Sequence, residues 1–257
     1  MIAFPNAKIN IGLNIVEKRT DGFHTIESIF YPIFDLVDVL EIIELKDNSY
    51  PQFSSSGIFI PGNPENNLCL KAYNLLKMEY DIPNVAIHLH KVIPIGAGLG
   101  GGSSDAAFTL KLLNNLFRLN LSDNILIEYA QKLGSDCAFF IKNKPVFAFG
   151  KGDEFEDINL NLSTYKIKIE YPSIHIGTAE AYSGVTPIKS KLKLKEIISQ
   201  PINSWGKLIK NDFEYSIFLN YPEIEQLKLR FYKEGAIYAS MTGSGSAVYG
   251  IFETIDS

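Results

Sequence analysis

Five of the seven residues from Gly96 to Gly102 are glycine, and the run separates two segments of different apolar period. Before it, Val85, Ile87, Leu89 and Lys91 alternate with Ala86, His88, His90 and Val92, the period of two expected of a strand. After it, Ser104 to Asn115 reads as a helix. A strand, a turn without side chains and a helix start, in that order, bare backbone N–H groups at the positive end of the helix and suit a polyphosphate. The run lacks the Lys-Ser/Thr ending of the P-loop pattern, so any lysine must approach from elsewhere in the chain. Gly96-Ala97-Gly98-Leu99-Gly100-Gly101 also satisfies the G-x-G-x-x-G pattern of dinucleotide sites. Against that reading, no series of alternating parallel strands and helices follows, and Asp123 stands at a helix start rather than at the end of the next strand. A purely structural turn accounts poorly for five glycines.

The rest of the chain reads as mixed α and β. Ala7 to Val16, Thr25 to Phe34 and Val37 to Leu45 are strand-like, with a turn at Lys18 to Gly22, and suggest an antiparallel layer. Asn66 or Asn67 can cap a helix that carries Leu68, Ala72, Leu75 and Leu76 on one face. Asp123 to Leu133 supports another helix, and Gly134-Ser135-Asp136 follows it, before the apolar segment Cys137 to Ile141. Strand patterns recur at Val146 to Phe149 and Ile167 to Tyr171. Helical ones lie at Thr178 to Tyr182, Leu192 to Ile198 and Pro222 to Glu234, and Ile237 to Phe252 resembles a hairpin turning at Thr242-Gly243-Ser244-Gly245. These elements predict an α+β protein of two lobes, residues 1–150 and 151–257.

Composition narrows the partners. The 24 Lys+Arg against 29 Asp+Glu give a formal charge of -5, which opposes non-specific binding to nucleic acid. The basic cluster Lys189 to Lys195 is short, lacks interleaved aromatics and reads as a solvated face. No run of 18 apolar residues occurs, and Met1 to Asn14 has neither the basic region nor the cleavage site of a signal peptide, so no membrane partner and a cytoplasmic location are expected. Cys69 and Cys137 form no C-x-x-C pair and point to a reducing compartment without a structural disulfide. Cys137 reads as a small buried residue, and His88 with His90 lacks a third clustered ligand for zinc, so no metal-binding side chains are assigned. Ser103 and Ser104 suit either a helix cap or a phosphate or Mg²⁺ contact.

Together with the glycine run, Pro5-Asn6-Ala7-Lys8-Ile9-Asn10, Arg19-Thr20-Asp21-Gly22-Phe23-His24 and Thr242-Gly243-Ser244-Gly245-Ser246-Ala247 resemble the galactokinase, homoserine kinase, mevalonate kinase and phosphomevalonate kinase superfamily, over essentially the whole chain. The nearest branch acts on a cytidylylated methylerythritol in non-mevalonate isoprenoid synthesis. The resemblance implies a two-lobed kinase, ribosomal-protein-S5-like at the N-terminus and ferredoxin-like at the C-terminus, with the active site between the lobes. It implies ATP-dependent phosphorylation of the substrate's 2-hydroxyl, ATP and Mg²⁺ as cofactors, and a monomer or weak homodimer. Lys8 and Asp136 fall beside the accepting hydroxyl. Asn67, Pro94, Gly96, Gly98, Gly100, Gly101, Gly102, Ser103 and Ser104 fall around ATP, with Asn67 near the adenine. Asn10, Phe23, His24, Thr178, Tyr182, Gly243 and Ser244 fall to the cytidylylated substrate.

The chemistry of these residue types suits those tasks. Asp136 can accept the hydroxyl proton while Lys8 offsets charge on the carboxylate and on the transferred phosphoryl oxygens. Phe23 and Tyr182 can stack on cytosine while His24 reads its edge. Phe23 replaces the tyrosine more usual in the branch, which keeps the stacking surface and removes a hydroxyl. Two competing functions remain at this stage: another kinase of the superfamily, acting on mevalonate or homoserine without need of a cytosine clamp, and an inactive nucleotide-binding protein, which the joint presence of Lys8 and Asp136 disfavours.

Overall fold

Two long alternating segments near the N-terminus form the strands expected of them. The computed structural model describes residues 1–46, 50–188 and 193–254. A two-residue strand β1 (Ile2–Ala3) precedes β2 (Asn6–Lys18), β3 (His24–Val37) and β4 (Val39–Glu44). Then come β5 (Gln52–Gly57), α1 (Leu68–Glu79), β6 (Val85–Lys91), α2 (Gly101–Leu116), α3 (Asp123–Leu133) and the single turn α4 (Phe139–Lys142). The C-terminal half holds β7 (Val146–Phe149), β8 (Glu154–Asp157), β9 (Tyr165–Glu170), α5 (Thr178–Ser183), α6 (Leu194–Ile197) and α7 (Trp205–Leu208). It closes with α8 (Glu214–Asn220), α9 (Pro222–Lys233), β10 (Tyr238–Met241) and β11 (Val248–Glu253).

Two compact units result. The first comprises residues 1–8, 32–95 and 100–144. Its sheet runs β1-β4-β6-β5, antiparallel except for the parallel β5–β6 pair. Leu40, Ile42, Val85, Ile87 and Leu89 are buried, and α2 packs against α1, α3 and β4. Asn67 caps α1 by accepting the Cys69 N–H at 2.8 Å. The buried face of that helix is Cys69, Ala72, Tyr73 and Leu76, rotated from the expected stripe so that Leu75 is only half-buried.

The second unit comprises residues 9–31, 96–99 and 145–257, described through Thr254 and without 189–192. Strand order β2-β3-β7-β8 makes one four-stranded sheet. A three-stranded antiparallel sheet, β10-β11-β9, is backed by α9, whose Ile224, Leu227 and Phe231 are spaced to bury one helical face. They join Leu13, Ile15, Ile26, Phe213, Ile217, Met241 and Val248 in one apolar core. Of the expected basic cluster, Lys189 to Leu192 lies outside the described residues. Helix α2 starts three residues earlier than its sequence pattern indicated, because Gly101 and Gly102 adopt helical geometry behind the left-handed Gly100.

Candidate active site

Lys8 lies on β2 with its side chain buried, and its Nζ stands 3.3 Å from Asp136 Oδ2, whose side chain keeps 30% of its exposure. Asp136 follows α3 in a tight segment closed by the Cys137 N–H donating to the Gly134 carbonyl at 3.2 Å. Burial pushes the neighbouring Cys137 thiol up to about 12, which keeps it protonated and leaves no nucleophilic thiolate beside Asp136. The stem of Lys8 runs across Gly100. A Cβ there would meet Lys8 Cγ at 3.0 Å, and Gly100 holds φ at 70°, so both packing and backbone demand glycine.

Gly100 caps α2 with no side-chain acceptor of its own. The N–H groups of Gly101, Gly102 and Ser103, at the first three helical positions, have no acceptor within the helix, and the helix dipole makes this end positive. Ser104 is buried and its Oγ has no protein partner. An orphaned hydroxyl beside bare N–H groups is the donor set that a phosphate oxygen or a cation carried with it can satisfy, so the residues fit a nucleotide polyphosphate. Asn67 belongs to the same neighbourhood, since a Cβ on Gly102 would touch Leu68 Cδ1 at 3.9 Å. Pro94 is half-buried at the entrance to the run.

In the second unit, the first half of the glycine run meets the C-terminal turn. A Cβ on Gly98 would fall 2.0 Å from the Thr242 carbonyl oxygen, and one on Gly243 would fall 2.9 Å from Gly98 Cα. Two glycines are therefore needed at one backbone crossing. Thr242 Oγ1 donates to the Gly98 carbonyl at 3.2 Å and accepts the Asn10 N–H at 2.9 Å. The Asn10 side chain is buried and donates to Ser28 Oγ at 2.9 Å. Gly96 lies beside the His175 ring, Gly243 is buried in the turn and Ser244 is half-buried next to it.

The remaining candidates form a third group, also in the second unit. Asp21 accepts the Phe23 N–H at 3.1 Å, which closes the turn between β2 and β3. That hydrogen bond, with the Arg19 guanidinium, holds the Asp21 carboxyl below its usual range. The turn leaves Phe23 59% exposed, with Lys151 Nζ 5.2 Å from its ring centre. His24 stacks on Tyr182 of α5, centroids 4.6 Å apart and planes 18° apart, and Tyr182 meets Phe213 edge-on at 4.9 Å. Thr178 opens the same helix. His24 and Tyr182 are thus together, and one face of Tyr182 is already covered by His24.

Comparison with known proteins bears on all three groups. Residues 67–144 match the model of the GHMP kinases N terminal domain, and residues 193–256 match that of the GHMP kinases C terminal region. A 4-diphosphocytidyl-2-C-methyl-D-erythritol kinase of Bacteroides fragilis is 53% identical over 253 residues, covering 98% of this chain and 92% of the relative. One from Cytophaga hutchinsonii is 53% identical over 255 residues, with 99% and 93% covered. The chain belongs to the 4-diphosphocytidyl-2-C-methyl-D-erythritol kinase family. A crystal structure of a 4-(cytidine 5'-diphospho)-2C-methyl-D-erythritol kinase superposes with a TM-score of 0.83 at 29% identity, covering 98% of this chain and 90% of that one. Methanococcus jannaschii mevalonate kinase, at 17% identity and a TM-score of 0.69 over 98% and 90% of the chains, shares the fold. The expected two-lobed GHMP kinase architecture is therefore the architecture of this member.

Two polar arrangements in this family member escaped the reading of the sequence. Lys91 lies buried between two aspartates, 2.5 Å from Asp38 Oδ2 and 2.6 Å from Asp105 Oδ2. Its place among Val85, Ile87 and Leu89 was the available signal, because a lysine on the buried side of a strand needs an anion. Asn211 is buried with both amide N–H groups and its amide oxygen bonded, and no local pattern marks it. His88 and His90 bond to the Ser54 and Ser56 hydroxyls at 2.8 to 3.0 Å, and no group of three metal-ligating side chains occurs among the described residues. Nor is any helix among them long and apolar enough to cross a membrane.

Proposed function

We propose that the chain transfers the γ-phosphoryl group of ATP to the 2-hydroxyl of 4-diphosphocytidyl-2-C-methyl-D-erythritol, giving the 2-phosphate and ADP in non-mevalonate isoprenoid synthesis. The observation that carries this reading is the Lys8–Asp136 pair at 3.3 Å, with the stem of Lys8 laid across Gly100 at the start of α2. The substrate assignment draws on relatives 53% identical over nearly the whole chain.

In this mechanism the N–H groups of Gly101, Gly102 and Ser103 hold phosphate oxygens of ATP, and Asn67, Pro94, Gly96 and Gly98 complete the nucleotide's surroundings. Mg²⁺, when bound with ATP, would supply positive charge against the developing phosphoryl charge, and the unpartnered Ser104 Oγ is the hydroxyl that would hold it or a phosphate oxygen. The substrate's 2-hydroxyl oxygen forms a bond to the γ-phosphorus as the bond from that phosphorus to ADP breaks. Its proton passes to Asp136, and Lys8 stabilises the negative charge on the moving phosphoryl oxygens. Alignment of the hydroxyl and stabilisation of the transferred charge carry most of the acceleration. Phe23 and Tyr182 hold the cytosine, with His24 for its edge and Asn10, Thr178, Gly243 and Ser244 for the rest of the substrate. Residues 1–150 thus carry ATP binding and the catalytic pair, and residues 151–257 complete the substrate site.

The test is ADP release measured by a coupled assay with the cytidylylated methylerythritol, mevalonate and homoserine in parallel. Turnover is expected with the first alone. Equal or greater turnover of mevalonate or homoserine would assign the chain to another branch of the superfamily.

A further inference from the structure

Asn211 is buried, and both amide N–H groups and the amide oxygen are engaged. Nδ2 donates to the Met241 carbonyl at 2.9 Å and to the Gly243 carbonyl at 2.8 Å, while Oδ1 accepts the Phe213 N–H at 3.0 Å. A single side chain therefore grips the C-terminal turn at two carbonyls that flank Thr242. The backbone around Asn211 is itself held on β2: the Leu13 N–H donates to the Lys210 carbonyl at 2.9 Å, and the Asp212 N–H donates to the Leu13 carbonyl at 2.8 Å. Asp212 adds its carboxylate, which accepts the Ile15 N–H at 2.7 Å. The turn it grips is the one that meets Gly98 backbone to backbone and holds Asn10 through Thr242 Oγ1.

We infer that Asn211 is a positioning residue for phosphoryl transfer, transmitting the position of β2 to the Thr242–Ser246 turn and through it to the Gly98 arm of the glycine run. The inference rests on the proposed kinase reading and deepens it. The physical argument is one of direction. Two carbonyl oxygens drawn onto one amide fix the orientation of the Met241–Thr242 and Gly243–Ser244 peptides, and hence where the N–H groups of Thr242 and Ser244 point. Gly243 and Gly245, both at positive φ, give the turn little stiffness of its own, so its orientation depends on the Asn211 amide together with the Thr242 and Ser246 hydroxyls, which bond the Gly98 and Ile174 carbonyls. Glu214, three residues on, provides the contrast. Its Oε1 accepts the Ser240 hydroxyl and the Met241 N–H at 3.0 and 2.9 Å, and its Oε2 pairs with Lys228 at 2.6 Å, so it anchors the strand β10 but not the turn.

The experiment compares Asn211→Ala, Asn211→Gln and Glu214→Gln with the parent in steady-state ADP release, at a temperature where circular dichroism shows each variant folded. A displaced turn of about 1 Å can cost about a hundredfold in rate without loss of binding. We expect kcat to fall more than about tenfold in both Asn211 variants, with KM for ATP and for the cytidylylated substrate within about threefold of the parent. Glu214→Gln should lower the thermal midpoint and leave kcat within about threefold. A smaller loss of kcat in a folded Asn211 variant, a loss confined to KM, or an equal loss in Glu214→Gln overturns the inference. Hydrogen exchange of residues 240–247 in the parent keeps the test open should neither Asn211 variant fold: protection matching the strands is expected, and exchange at the rate of a free turn overturns it. If the parent shows no turnover of the cytidylylated substrate, the functional reading fails instead, which the same assay separates.

Discussion

The first unit contains two lysine–aspartate sites that differ in what water can reach. Lys8 meets one carboxylate at 3.3 Å, and that carboxylate, Asp136, keeps 30% of its side-chain exposure. Lys91 meets two, Asp38 and Asp105, at 2.5 and 2.6 Å, and all three are buried. Asp38 also accepts the Val92 and Ile93 N–H groups at 2.6 and 2.9 Å, at the point where β6 leads into the glycine run. Burial tends to lower the Lys91 pKa, but the charges of Asp105 and Asp38 outweigh it and hold the ammonium above its usual value. The loose, open pair leaves a carboxylate that solvent reaches, as the proposed proton transfer requires; the tight, closed group admits no solvent and instead fixes the frame. Proximity of opposite charges is common to both, and access separates reactivity from architecture.

The comparison breaks most sharply at the open pair. Asp136→Asn keeps the size of the side chain and removes the proton acceptor, so kcat should fall about 10²- to 10⁴-fold while nucleotide affinity, measured by titration calorimetry, stays near that of the parent. Lys8→Met should cost about 10²- to 10³-fold through lost charge stabilisation. Near-parental turnover in either folded variant would contradict the assigned role. At the closed group the same type of substitution should act on folding. Lys91→Met strands two buried carboxylates and should destabilise by about 3–5 kcal/mol in urea unfolding.

Proton binding sharpens the same contrast. Burial, against the pull of Lys91, raises Asp105 from 3.8 to about 7. Between those values the folded chain holds a proton that the unfolded chain has lost, so this site's contribution to stability falls as pH rises from about 4 to about 7 and is level above that. Asp105→Asn removes the titration, and its urea midpoint should decline less than the parent's between about pH 5 and about pH 7. Parallel declines would place the source elsewhere.

How much of this could be read without coordinates follows the range of the forces involved. The glycine run, the α1 cap at Asn67 and the strands β2, β3 and β6 are local patterns, and they stand where the periodicities put them. Strand β5, Gln52–Gly57, is polar and exposed, and only its pairing with β6 and the bonds from Ser54 and Ser56 to His88 and His90 make it a strand. The closed group was half visible, since Lys91 sits in a buried register, but Asp38 lies 53 residues away from it and could not be named as the partner. Asn211 was invisible for the same reason, reaching Met241 and Gly243 across 30 and 32 residues. The candidate site's residue types are local in sequence, whereas the residues that hold them in place are defined by contacts remote in sequence.

The smallest effect belongs to the cytosine group, where exposure limits what one side chain can contribute. Phe23 is 59% exposed and touched by Lys151, while Tyr182 is partly buried under His24 and against Phe213, so the two proposed stacking surfaces are not equivalent. Base–aromatic stacking is worth about 1–3 kcal/mol, and an open ring in contact with solvent belongs near the lower end, which corresponds to about a fivefold change in affinity. Phe23→Ala should therefore raise KM for the cytidylylated substrate about fivefold, with ATP affinity unchanged and kcat only slightly affected. Restoring the ring as Phe23→Tyr should return KM to the parental value, because the stacking surface is the same and the added hydroxyl can remain in water. Steady-state ADP release for the three proteins, with ATP affinity measured separately, checks this. A selective loss of ATP binding in Phe23→Ala would remove Phe23 from the substrate site, and an unchanged KM would leave Tyr182 and His24 as the base-binding pair.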